Sequence, residues 1–195
     1  MAHFAIITPI LIYGAFCLAS HIDIGLRHLL PIYPFLFILT AVWISKIAGR
    51  ARIIAIGALT ALLIIESLAI YPHYLAFFNW FVGGPSEGPR YLADSNIDWG
   101  QDVKKLREYL DRERIQLPCI SYFGQADLAY YGIHARELEP GMRPSADCRF
   151  IAISASPLVG LYAPGDPFAS LRRMEPLARV GYSIYLYDLR GQPPK

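Results

Sequence analysis

The chain predicts an α-helical membrane part of three transmembrane helices followed by a small α/β extracytoplasmic domain. Three observations carry that expectation. Hydrophobic residues make up 54% of 195 positions and mean hydropathy is +0.33, more apolar matter than one soluble core of this size requires. Charge is segregated: of 18 basic and 16 acidic side chains, residues 1–85 hold Arg27, Lys46, Arg50 and Arg52 against Asp23 and Glu66, which leaves fourteen of each sign in residues 86–195. Between the two compositions lies YPHYLAFFNWFVGGPSEGPRYLADSNIDWGQD, residues 71–102, whose first half is aromatic and whose middle is rich in Gly and Pro. Amphipathic rings settle where one end is apolar and the other wet. The division therefore falls at residue 85, with the membrane part and its interfacial aromatic segment before it and the soluble domain after it.

Three apolar segments form the membrane part, at about 3–21, 29–46 and 53–72, near the ~20 residues that cross hydrocarbon. Residues 1–22 carry no Asp, Glu, Lys or Arg. A secretory signal is the rival for this segment, but it has no Lys or Arg before the apolar run and LASHIDIG is a poor cleavage site. Residues 28–45 are equally uncharged, with Pro31 and Pro34 at the start, where a helix tolerates them. The loop SKIAGRAR holds Lys46, Arg50 and Arg52, whereas HIDIGLRH balances Arg27 with Asp23. The basic loop belongs on the cytoplasmic side. This places the chain in the inner membrane, multi-pass, with residues after Tyr71 on the periplasmic or extracellular side. Glu66 is the formal charge inside an expected span, a candidate intramembrane polar site that competes with a headgroup anchor near the helix end.

In the soluble part, Asp98 with Gln101 three residues on forms a capping box, after which Val103, Leu106 and Leu110 line one helical face. CISYF (119–123) and FIAIS (150–154) are expected strands. Ala126 to Tyr131, Pro157 to Tyr162 and Phe168 to Met174 are expected short helices, and Leu177 to Val180 pairs with Ser183 to Leu189 in a hairpin. Cys119 and Cys148 start two strands, and an oxidising compartment permits a disulfide if those strands are neighbours, with isolated buried thiols as the alternative.

Chemistry-bearing motifs are sparse. Asp94, Asn96 and Asp98 reproduce the opening of a calcium loop, but Trp99 stands where Gly is needed and Lys105 where the closing acid belongs. Asp98 and Asp102 are spaced for a shared helix face, as an acid/base pair or as acids that complement a helix dipole. Ser154 and Ser156 lack a nucleophile-elbow frame. No phosphate loop or zinc-spaced cluster occurs, so neither a metal nor a cofactor is expected, and the neutral soluble part gives no basic field for nucleic acid. Arg27 and His28 stand just above a membrane segment, where a guanidinium can grip a lipid phosphate or simply anchor at the interface.

These pieces carry a resemblance. GLRHLLPIYPFLF and YPHYLAFFNWFVGGPSEGPRYLADSNIDWGQDVKKLREYL resemble the C-terminal part of bacterial polyprenyl-phosphate-sugar-dependent membrane glycosyltransferases, the superfamily of protein O-mannosyltransferases and aminoarabinose transferases. The resemblance is specific in HYLAFFN, GGP and DSNIDWGQD and weaker over residues 115–195. It implies hexosyl or pentosyl transfer from a polyprenyl-phosphate sugar donor by inverting displacement, with Arg27, His28 and Tyr33 at the carrier-lipid phosphate. The family's catalytic carboxylate lies in an outer loop of a longer N-terminal half. Asp23 falls in the wrong repeat to replace it, so no catalytic residue is assigned. The resemblance thus implies a C-terminal fragment, inactive alone, that works with a separate N-terminal catalytic half. The alternative is a self-contained membrane-anchored binding or assembly protein whose α/β domain recognises a partner.

Overall fold

The computed structural model describes residues 2–20, 25–139, 141–162 and 164–190. The chain divides into two compact units, Met1–Tyr71 and Pro72–Lys195. Residues 72–85, grouped by composition with the membrane part, thus belong by contact to the second unit.

The first unit is helical: α1 (Ala2–Ala19), a 3-10 helix at Gly25–Ile32 running directly into α2 (Tyr33–Lys46), and α3 (Gly49–Ile70). Two helical runs, Gly25–Lys46 and Gly49–Ile70, are each 22 residues and apolar enough to cross a membrane, and Phe4–Ala19 is a shorter apolar helix. The second run begins and ends earlier than the expected 53–72, and the first takes in Arg27 and His28. Pro31 and Pro34 explain the 3-10 start. Neither ring nitrogen can donate, and placing both within the first turns keeps the helix interior intact. Both runs present large side chains outward, Phe37, Trp43, Ile53 and Leu68 among them.

The second unit is a five-stranded mixed sheet in the order β2-β1-β3-β5-β4. Its strands are β1 (Cys119–Ser121), β2 (Arg136–Glu137), β3 (Phe150–Ser154), β4 (Ala178–Val180) and β5 (Ile184–Asp188). β1 runs parallel to β2 and β3, while β5 is antiparallel to β3 and β4. Alternation sorts the side chains between two cores. Ile151, Ile153, Tyr185 and Tyr187 face one cluster with Ile97, Phe168 and Leu171. Ala152, Ile184 and Leu186 face the other with Val103, Leu106 and Leu110 of α4 (Val103–Arg112). Covered on both sides, FIAIS is apolar throughout, as an internal strand must be.

The helical face at Val103, Leu106 and Leu110 is buried as the spacing requires, and the hairpin forms with Gly181 and Tyr182 at positive φ. Four expectations change. α4 starts after Asp102, not Asp98, because Gly100 at φ +75° interrupts any earlier helix. Residues 128–132 form turns, with the Ala129 N–H donating to Asp127, so the short helix expected at 126–131 is absent. α5 (Ala155–Leu158) precedes the expected 157–162, and a 3-10 turn at Leu171–Arg173 is all the helix that 168–174 contains.

Cys119 and Cys148 are joined in a disulfide with Cα atoms 5.8 Å apart. The parallel pairing of β1 with β3 brings the two strand starts level and makes the bridge. With the two cysteines 29 positions apart in sequence, loop-closure entropy predicts that reduction destabilises the second unit by about 3–4 kcal/mol. Denaturant titrations with and without reductant should show a loss of that order; coincident curves would mean that the bridge does not constrain the unfolded chain.

Candidate functional site

At the start of the Gly25–Lys46 run, three residues per turn bring Tyr33, the first residue of α2, onto the face of the 3-10 helix that holds positions 27 and 30. Arg27 is exposed there, with Tyr33 half-buried two turns on. His28 points elsewhere. Its ring meets Tyr13 of α1 edge-on at 6.3 Å, and the Cys17 thiol donates to its carbonyl at 3.7 Å. Tyr33 packs edge-on against Phe37 at 5.7 Å. Arg27 and Tyr33 are therefore brought to one side, whereas His28 helps to seat the turn on α1. Asp23 lies outside the described residues. Glu66 is half-buried in α3 and makes no ion pair or hydrogen bond among the described residues.

The second unit holds a polar cluster that sequence spacing does not reveal. Asp102, 2% exposed, accepts from Ser183 Oγ at 2.7 Å and from Gln101 Nε2 at 3.4 Å, with Lys105 Nζ 3.5 Å away. Lys105 Nζ also lies 2.9 Å from His73 Nδ1. Burial first, then the Lys105 ammonium, lower the His73 pKa against the pull of Asp102. A neutral imidazole accepting from the ammonium satisfies both groups, so the 3.9 Å approach of His73 to Asp102 is not an ion pair. His73 rests edge-on against Tyr182 at 5.3 Å. Gly181 makes the arrangement possible: at φ +62° it sits so close that an added Cβ would fall 2.0 Å from the Asp102 carboxyl carbon. Its residue types suit proton exchange, but Ser183 is fully buried and donates to Asp102 rather than to His73. The geometry serves cohesion, tying α4 to the hairpin and to residues 72–76.

Asp98 is fully buried beside it. Its Oδ1 accepts the Gly100 N–H at 3.0 Å, and Oδ2 has no hydrogen-bond partner. Burial pushes its carboxyl up to about 6, against the Gly100 N–H. Ser154 stands close enough to favour the charged form too, but closes no hydrogen bond to Oδ2. A proton on the orphaned oxygen is the state that suits this site. Tyr122, pushed up to about 12 by burial, stays neutral and donates to the Gly100 carbonyl at 2.9 Å. Asp98 and Asp102 do not share a helix face, since only the latter borders α4. No group of three or more His, Cys, Asp or Glu side chains that could hold a metal ion occurs among the described residues, and Asn96 Nδ2 donates to the Ala93 carbonyl at 3.0 Å.

Comparison with known proteins finds no matching family model, no matching curated protein and no matching solved structure.

Folded Asp98 keeps its proton up to about pH 6, while an ordinary carboxyl releases it near 3.8. Its contribution to stability is fully present below the unfolded value and is lost as pH rises through the folded one, a change of about 3 kcal/mol. Asp98→Asn keeps an acceptor for Gly100 and removes the titration. Urea titrations at pH 4 and pH 7 should show the native protein losing roughly 2.5 kcal/mol relative to this variant; parallel pH profiles would contradict a buried proton.

Proposed function

We propose that this chain is the carrier-lipid-binding part of a membrane glycosyltransferase that uses a polyprenyl-phosphate-linked sugar. One observation carries the proposal: Arg27 is exposed on the same helical face as Tyr33 at the start of a 22-residue apolar run. A guanidinium so placed can grip a phosphate with two parallel hydrogen bonds while the isoprenoid lies along the apolar helix. The resemblance in GLRHLLPIYPFLF and DSNIDWGQD supports the same chemistry. No catalytic role is given to any residue, and the acid that would activate an acceptor is taken to come from another segment.

In this proposal α1 is a third crossing beside the two longer runs. Lys46, Arg50 and Arg52 then face the cytoplasm by the positive-inside rule, and the second unit lies on the outer face. The disulfide supports an oxidising compartment. Exposed Tyr71, Tyr74, Phe77, Trp80 and Phe81 suit a bilayer surface, whereas Ala76 and Phe78 of the same stretch belong to the core of the second unit.

A second reading, a self-contained membrane-anchored binding protein, draws support from the second unit's own two-sided core and its own cavity.

Replacing Arg27 tests the carrier assignment. In nanodiscs containing a labelled polyprenyl phosphate, Arg27→Ala should weaken binding roughly tenfold to a hundredfold, as expected for loss of a charged hydrogen-bonded pair. Arg27→Lys, a point charge without the fork, should recover part of it. Equal binding by all three proteins would reject the assignment.

A further inference from the structure

At the carboxyl ends of the parallel strands β1, β2 and β3 the second unit opens a cavity of about 490 Å³, within the range of small-molecule sites. Open α/β sheets bind ligands in this place, where connections leave neighbouring strands in opposite directions. Here β1 sits between β2 and β3, so its connection runs to one side while β3 lies on the other. The loops after β1 and β3 and the end of β2 supply the walls.

The lining has one sign of charge. Asp127, Glu137 and Glu139 border the cavity, and no Lys, Arg or His does. None of these three carboxylates is in a salt bridge among the described residues. Phe123 and Tyr162 line the same space as a stacked pair, 5.7 Å between centroids and 9° between planes. Tyr162 holds φ +60°, an uncommon setting for an aromatic residue, and Asp94 adjoins it. A second observation points to an occupant. Ser121, at the end of β1, is 7% exposed and lines the cavity, and its hydroxyl makes no hydrogen bond among the described residues. A hydroxyl on a cavity wall can donate and accept, and so is available to an occupant.

Two carboxylates outside any salt bridge, Glu137 and Glu139, an aromatic face and one sign of charge together define the complementary molecule. Carboxylates attract and accept from an ammonium, a ring face attracts a cation, and a cleft lined by one sign concentrates ions of the other. We propose that this cavity binds a protonated primary amine, with its ammonium among Glu137, Glu139 and Ser121 and its carbon skeleton against the Phe123 and Tyr162 rings. The proposal does not rest on the carrier-lipid reading and survives its failure.

A matched pair of probes isolates the charge. Calorimetric titration of the full chain in nanodiscs with 1,5-diaminopentane and with 1,5-pentanediol compares ligands of equal length that differ in having ammonium or hydroxyl ends. Binding of the diamine should be roughly tenfold or more tighter than of the diol and should weaken with added salt. The exposed pair Glu137→Gln and Glu139→Gln, combined, should abolish that preference without changing thermal stability, and Tyr162→Ala should weaken the diamine severalfold. Arms with glucosamine and with Nα-acetyl-lysine amide identify which skeleton brings the amine, a sugar or a polypeptide, and preference for either one supports the site. No diamine binding at millimolar concentration, equal binding of the diol, or an unchanged preference in the double Gln variant would overturn the proposal.

Discussion

The burial of Asp102 is the constraint on which the second unit depends. A carboxylate removed from water is costly unless hydrogen bonds and opposite charge repay it, and breaking one partner of such a group typically costs about 3–5 kcal/mol. Here the repayment comes from three directions: Ser183 of the hairpin, Lys105 in the first turn of α4, and Gln101 beside Asp102 in sequence. Each donor lies on an element that must already be in place. The backbone of Gly181 closes over the carboxylate, and no side chain fits between them. The helix that covers one sheet face and the hairpin that ends the sheet are thereby held in one register, and Lys105 carries the tie onward to His73.

Local pattern made much of this legible, and long-range closure did not. The apolar runs, the face of α4, the internal strand FIAIS and the hairpin follow from periods of 3.6 and 2 and from turn residues. The disulfide was legible as a conditional, because it needed β1 and β3 to be neighbours. β2 was invisible: Arg136 and Glu137 are both exposed and carry no alternation. Asp98 misled because its spacing to Gln101 matches a capping box, yet Gly100 turns the chain and each side chain finds another backbone group, Gly100 N–H for Asp98 and the Ile97 carbonyl for Gln101. The His73 to Lys105 contact joins residues 32 apart. The signals for it were a Gly-Tyr turn and a lysine one turn after an acid, too common to read in advance.

The two units offer opposite chemistry, each suited to its composition. The helical unit carries few charges, and its exposed Arg27 stands at the start of a 22-residue apolar run. The sheet unit is electrically balanced overall, yet the cavity at its strand ends collects carboxylates and aromatic rings. The parallel strands explain that concentration, because their carboxyl ends converge on one edge and bring together loops distant in sequence.

Hydrogen–deuterium exchange of the intact protein in lipid nanodiscs tests the proposal that the apolar helices lie within a bilayer and the sheet unit folds separately in water. The account predicts amides of 33–46 and 49–70 that resist exchange through denaturant concentrations at which β3, β5 and α4 become fully labelled. Rapid labelling of those helices while the sheet is still protected would contradict it.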